Sequence, residues 1–240
     1  MLHWDKKNGG SHLDYSKIKI LYEDNHLLVC IKPAGVLSQA SDKNLPDMLT
    51  LLKAYLKEKY MKPGNVYLGL VHRLDLNVGG IMVFAKTSKA AARLSEVIRN
   101  HEFSKEYYAV VKGALPIGQE ETLLDKISKN ELNRVGYIDD DFGKESKLHY
   151  SVLDSQEIKG EKYSLVQIRL FSGRFHQIRV QFSSRGFPLF GDEKYGNDNS
   201  SIENEIGLYA YKVSFPHPVS KEIIEFEDTP FFGIFSRFFS

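Results

Sequence analysis

Apolar positions along the 240-residue chain change period several times, and each change marks an element. Ile18 to Tyr22 and His26 to Lys32 read as strands parted by the turn signal Glu23-Asp24-Asn25. Lys32-Pro33-Ala34-Gly35-Val36-Leu37 then forces an irregular turn. Asn44 to Tyr60 reads as a helix, with Pro46 near its first position and Met48, Leu49, Leu52, Tyr55 and Leu56 at helical spacing. Val66 to Leu70 leads into a loop, after which Ile81 to Ala85 is an apolar run of strand length. Thr87 or Ser88 caps a second helix reaching about His101, with Ala91, Leu94, Val97 and Ile98 inward.

Beyond it, Lys105 to Gly113 is rich in strand formers, and Tyr107 and Tyr108 must point to opposite faces. Residues 117–147 are polar and locally acidic, a solvated loop or hairpin excursion. Leu148 to Leu153 and Tyr163 to Phe171 alternate as strands around a turn at Lys159-Gly160. Ser172 or Gly173 is expected to open a third helix that ends before Gly186. Gly207 to Phe215 and Ile223 to Phe226 close the pattern, with Pro216-His217-Pro218 as their turn. The tail after Pro230 spaces Phe231, Phe235 and Phe238 as an apolar helical stripe. Residues 1–17, with Gly9-Gly10-Ser11, read as a flexible lead-in, and 18–240 as a single domain.

Apolar residues at 42% and charged residues at 26% are typical of a soluble globular chain and exclude disorder. Thirty-two Lys plus Arg against 31 Asp plus Glu leave a net charge of +1, so any basic groove must arise by segregation of charge. The single cysteine, Cys30, excludes an internal disulfide and a multi-cysteine metal site; within an apolar run it reads as core. No secretory signal and no long apolar run occur, which points to the cytoplasm and away from a membrane.

Two stretches carry chemistry. The first is His72-Arg73-Leu74-Asp75 with Asn77, Gly79 and Gly80, a loop entering the buried strand. The second is Ser172-Gly173-Arg174-Phe175-His176-Gln177-Ile178-Arg179, where two arginines near a helix start suit phosphate or carboxylate. On the expected helix His176, Arg179 and Ser183 share a face. Read alone, these are also compatible with a surface ion pair and a surface helix.

A resemblance narrows the choice. His72-Arg73-Leu74-Asp75 followed by a small pair and Gly80 resembles the central motif of the RluA-type pseudouridine synthases. Tyr22-Glu23-Asp24 with Lys32-Pro33-Ala34-Gly35 resembles the family's amino-terminal motif. Lys105-x-Tyr107-x-Ala109-x-Val111-x-Gly113 resembles its third. Gly173-Arg174-x-His176-Gln177-Ile178-Arg179-Val180, then Gly186-x-Pro188-Leu189-x-Gly191-Asp192-x-x-Tyr195-Gly196, resembles its fourth. The chain departs from the family at Val78-Gly79, where a Thr-Ser pair is usual, and at Tyr209, where His is common.

The resemblance implies an α+β fold: a bent, largely antiparallel mixed sheet flanked by helices, with the active site in a central cleft. It implies isomerisation of uridine to pseudouridine within ribosomal or transfer RNA, without metal or cofactor. Asp75 would be the carboxylate that attacks the sugar or stabilises positive charge on it, paired with Arg179. Tyr107 would stack on the uracil. The uridine would be flipped out of the RNA, with Arg73 filling its place. His72, Arg174, His176 and Lys86 complete the expected RNA contacts, with Lys89 and Arg93 as further phosphate candidates. Arg179→Met is expected to cost more in activity than in folding. A monomer with no obligatory protein partner is the default. The competing readings are a non-catalytic RNA-binding or RNA-folding protein on this scaffold, and an unrelated hydrolase with an Asp nucleophile.

Overall fold

A computed structural model describes residues 15–41, 45–196 and 206–239. Its strands are β1 (Ile20–Glu23), β2 (Leu27–Lys32), β3 (Gly69–Leu70), β4 (Gly79–Ala85), β5 (Ser104–Lys112), β6 (Glu120–Asn130), β7 (Val135–Ile138), β8 (Lys144–Ile158), β9 (Glu161–Leu170), β10 (Leu208–Pro216) and β11 (Ile223–Glu227). The α-helices are α1 (Met48–Lys59), α2 (Ser88–Arg99) and α3 (Gln177–Ser183). The expected α+β class holds. The described chain falls into two compact units. One runs through Phe103 and takes in Phe215–Phe226; the other takes in Ser104–Ser214 and the chain from Glu227 on.

In the first unit β2 pairs antiparallel with β1 on one side and with β4 on the other, and β3 adds to β4. All seven residues of β4 are buried, and Leu27, Leu28, Val29 and Cys30 of β2 have no exposed surface. A strand covered on both faces reads as an unbroken apolar run rather than an alternation, as Ile81 to Ala85 does. The helix α1 begins after Asp47, whose carboxylate accepts from the Thr50 amide, so Pro46 precedes the cap instead of opening the helix. Thr87 caps α2 through the Ala90 amide. Each such cap is worth about 1 kcal/mol. The buried stripe of α2 is Ala90, Leu94 and Val97, one step earlier than the expected Ala91. The lead-in expected over 1–17 lies outside the described residues up to 14, and Tyr15–Lys17 form a turn of 3-10 helix. Asn44, the expected start of α1, also lies outside them.

The second unit carries the strand order β10-β5-β9-β8-β6-β7, each neighbour pair antiparallel. Residues 117–147, expected to be a loop or hairpin excursion, supply β6, β7 and the start of β8. β6 buries only Leu123 and Ile127, four residues apart, so its strand period is invisible in the sequence. β8 and β9 meet at a two-residue turn in which Lys159 and Gly160 both have positive φ, 53° and 82°. That mirror-image turn matches the twist of the paired strands. On β5 the two tyrosines diverge as alternation requires: Tyr107 is buried, while Tyr108 stacks on Tyr211 with ring centres 3.9 Å apart. The tail makes a short 3-10 helix, Gly233–Arg237; Phe235 is buried but Phe231 is 66% exposed, so the aromatic stripe is only partly covered.

Candidate active site

Asp75 sits in the loop joining β3 to β4, and the residues on either side of it are tied down. The Ser38 hydroxyl accepts from the Leu74 amide at 3.1 Å and donates to the Leu74 carbonyl at 2.8 Å. The Leu76 carbonyl accepts from the Gly35 amide at 2.9 Å and from the Lys32 ammonium at 3.0 Å. The Val78 amide closes a turn onto the Asp75 carbonyl. Arg73 is exposed and Asp75 half-buried, so adjacent odd positions of the loop meet different surroundings.

Lys32 is the charged residue that the sequence reading passed over. It has no exposed surface, and its ammonium also donates to the carbonyls of Pro33 and Val36, at 2.9 and 2.6 Å. Burial pushes it down to about 7, while the Asp75 carboxylate pulls it back up. A buried cation is retained only where acceptors and an opposing charge surround it. The sequence signal was there: a lysine ending an apolar strand ahead of Pro-Ala-Gly.

His72 has a backbone task. Its Nε2 accepts from the Val83 amide of β4 at 2.9 Å, which fixes that nitrogen as unprotonated, and its ring lies 5.4 Å from that of Phe103. Lys86 also serves the scaffold. Its ammonium, with a side chain 9% exposed, lies 2.7 Å from Glu23 Oε1, donates to the Asp24 carbonyl and sits over the Tyr60 ring. The pair with Glu23 gives Lys86 a structural role alongside the RNA contact expected of it. Burial raises the Glu23 carboxyl, but hydrogen bonds from Lys59, Lys86, Tyr60 and Tyr55 outweigh it and hold it at about 2. Arg93, a phosphate candidate, donates to the Pro218 carbonyl.

In the second unit Arg179 lies on α3. Its Nε and Nη2 donate to the two oxygens of Asp192, at 2.8 and 2.7 Å, and its guanidinium is 4.9 Å from the centre of the Tyr195 ring. The Asp192 side chain is fully buried and also accepts from the amides of Lys194 and Tyr195. A two-point fork on a rigid carboxylate fixes the plane of the guanidinium as well as its place. The Gly-Asp-x-x-Tyr segment is therefore a seat for Arg179, a role the sequence reading did not assign to Asp192.

His176, Arg179 and Ser183 all meet Tyr195, although His176 lies outside the helix whose face it was expected to share. His176 Nδ1 is 2.7 Å from the Tyr195 hydroxyl, which also accepts from the Gly136 amide, and the Ser183 hydroxyl donates to the Tyr195 carbonyl. At Gly136 a side chain would collide with the Phe175 carbonyl and Val180, both 2.9 Å from an added Cβ, so β7 can approach only as glycine. The helix itself is shorter than expected. His176 holds a left-handed φ of 53°, which breaks the helix before Gln177. Residues 172–176 instead form a loop fastened by Gln177, whose side chain accepts from the Ser172 hydroxyl and the Arg174 amide and donates to the Lys147 carbonyl. Arg174 is exposed, with its Nε on the Glu145 carbonyl. At the other end Gly186, φ 83°, lets the Phe187 amide reach the Phe182 carbonyl, a left-handed helix cap.

The first unit thus holds His72, Arg73, Asp75 and Lys86; the second holds Tyr107, Arg174, His176 and Arg179. No group of His, Cys, Asp and Glu able to hold a metal occurs among the described residues, and no helix among them is long and apolar enough to cross a membrane.

Comparison with known proteins places this geometry. The sequence profile of the RNA pseudouridylate synthase family matches residues 26–184. The chain is 34% identical over 212 residues to the uncharacterized RNA pseudouridine synthase YhcT of Bacillus subtilis, covering 88% of this chain and 68% of that one. It is 32% identical to the ribosomal large subunit pseudouridine synthase D of Zymomonas mobilis, with the same coverage of both chains. It is also 32% identical to the dual-specificity RNA pseudouridine synthase RluA of Vibrio parahaemolyticus, covering 84% of this chain and 78% of that one. Among solved structures, human RNA pseudouridylate synthase domain containing 1 shares the fold, with a TM-score of 0.75 at 23% identity over 92% of this chain and 86% of its own. The chain belongs to the RluA-type RNA pseudouridine synthase family, whose members are isomerases.

Proposed function

We propose that this protein converts specific uridines of ribosomal or transfer RNA to pseudouridine, with Asp75 as the catalytic carboxylate. The observation that carries the reading is the setting of Asp75: a half-buried acid on a loop anchored at both neighbours, with the Lys32 ammonium buried beside it. Such a carboxylate is held in place, which the chemistry needs.

In the proposed reaction Asp75 brings negative charge to the anomeric carbon, by attack or by stabilising its cationic character. The bond from that carbon to N1 of uracil breaks. The ring turns and a bond from the same carbon to C5 forms. The proton on C5 leaves and N1 gains one, so the product is an isomer and no redox partner is needed. The uridine is extruded from the RNA, at a cost of a few kcal/mol that is least in loops. Arg73, exposed beside Asp75, fills the gap it leaves. Arg179, its guanidinium oriented by Asp192, and Tyr107, which stacks on the base, are the further catalytic residues of this reading. Arg174 and His176 contribute RNA contacts, and His72 supports the loop from behind through Val83. The same reading takes the protein to be a cytoplasmic monomer.

The test is pseudouridine mapping of total RNA from the source cell, its deletion strain, and the deletion complemented with wild type or Asp75→Asn. A site lost on deletion and restored only by wild type supports the reading and names the substrate. A map unchanged by deletion overturns it in favour of RNA binding without catalysis.

A further inference from the structure

The family's Thr-Ser pair after the catalytic loop is Val78-Gly79 here, so two hydroxyls are missing close to Asp75. Val78 is buried and apolar. The one side-chain hydroxyl bonded to the residue before Asp75 comes, among the described bonds, from a different segment: Ser38, just past the Lys32–Leu37 turn. Ser38 is 6% exposed, and its oxygen both accepts from and donates to the backbone of Leu74, itself 8% exposed. Its remaining contact is the soft Sδ of Met82, 3.7 Å away on β4.

We propose that Ser38 is a positioning residue for Asp75: its hydroxyl fixes the Leu74 peptide and thereby the direction in which the Asp75 side chain leaves the loop. This rests on the reading of Asp75 as the catalytic carboxylate. The loop has two anchors flanking that residue. The one at Leu76 is made by a backbone amide and the Lys32 ammonium and does not depend on Ser38. The one at Leu74 depends on a single hydroxyl. Removing it leaves a buried N–H and C=O to find other partners, and the peptide rotates to find them. A rotation of the Leu74 peptide moves the Asp75 carboxylate while its distant RNA contacts persist. A shift of about 1 Å at a reacting group costs on the order of 100-fold in rate. The signature is a loss in the chemical step with substrate binding preserved. A purely structural role would lower the folded fraction and depress both together.

The experiment uses the full chain and unmodified RNA transcribed from the ribosomal and transfer RNA genes of the source cell. Wild type, Ser38→Ala, Ser38→Cys and Asp75→Asn are compared by single-turnover pseudouridine formation, RNA binding and thermal melting, all well below each variant's melting midpoint. The expected result is a rate about tenfold to 100-fold lower for Ser38→Ala, with RNA affinity within about twofold of wild type. Ser38→Cys keeps the volume but bonds weakly, and it falls between the two; it decides the matter if Ser38→Ala does not fold. A wild-type rate in the folded Ser38 variants overturns the proposal, as does a parallel loss of rate and RNA affinity. The reading beneath it fails separately: through an Asp75→Asn variant as active as wild type, or a wild-type enzyme that forms no product on any of these RNAs.

Discussion

The guanidinium of Arg179 rests on the carboxylate of Asp192 through two parallel hydrogen bonds, and the acid beneath is fully buried. Arg179 is therefore part of the structure, besides the chemistry proposed for it. Removing one member of a buried pair costs about 3–5 kcal/mol, because the other is left charged without its partner. Asp192→Ala should lose stability of that order in urea unfolding and lose pseudouridine formation with it. The expectation that Arg179→Met harms activity more than folding has to be revised, since that variant strands Asp192. Unfolding midpoints for both variants equal to wild type would show that the pair contributes nothing to stability.

Lys32 should leave a mark on the pH dependence of stability. Its ammonium is held down at about 7, whereas in an unfolded chain it titrates near 10.4. Between those values the unfolded state binds more protons, so this group makes stability rise with pH across that window. Below about pH 7 the cost of burying the charge is present in full. Lys32→Met should flatten the rise between pH 7 and 10 in denaturant titrations. A variant whose curve keeps the wild-type slope would assign the effect to another group.

Glu23 acts in the opposite sense. Its folded value of about 2 lies below the ordinary 4.5, so its stabilisation is complete above about pH 4.5 and disappears as pH falls toward 2. Glu23→Gln should melt lower than wild type at pH 7 and converge with it in acid. Thermal melts at pH 7, 4 and 2.5 check this, and an equal gap at every pH would disprove the assignment.

Arg73 and Lys86 should separate cleanly despite sharing one segment of sequence. Arg73 is exposed, so Arg73→Ala should leave the melting midpoint nearly unchanged and cut the rate on RNA by tenfold or more, to order of magnitude. Lys86 is tied to Glu23, so Lys86→Ala should lower the melting point. Melting curves, beside the rate on RNA, distinguish the two.

The sequence was most legible where one local rule decides. Thr87 caps α2, and Gly186 closes α3. The unbroken apolar run at Ile81–Ala85 is a covered strand. Asp75 lies on the expected loop and Arg179 on the expected helix. It was least legible where a tertiary partner outvotes local preference. Residues 172–176 look ready to start a helix, yet His176 turns left-handed and meets Tyr195, nineteen positions on. Asp192 looks like a turn residue until Arg179 is placed on it. Lys32 looks like a polar strand end until the carbonyls of Val36 and Leu76 close around it. β6 hides its period because only two of its eleven residues are buried.

Cys30 gives this protein a built-in reporter. It is the chain's one cysteine, it has no exposed surface, and burial raises its thiol above the ordinary range. An alkylating reagent reacts with thiolate, so it must wait until β2 and its cover come apart. The rate of labelling therefore clocks the opening of the first unit alone, without any engineered probe, and RNA that grips the Asp75 loop should slow it.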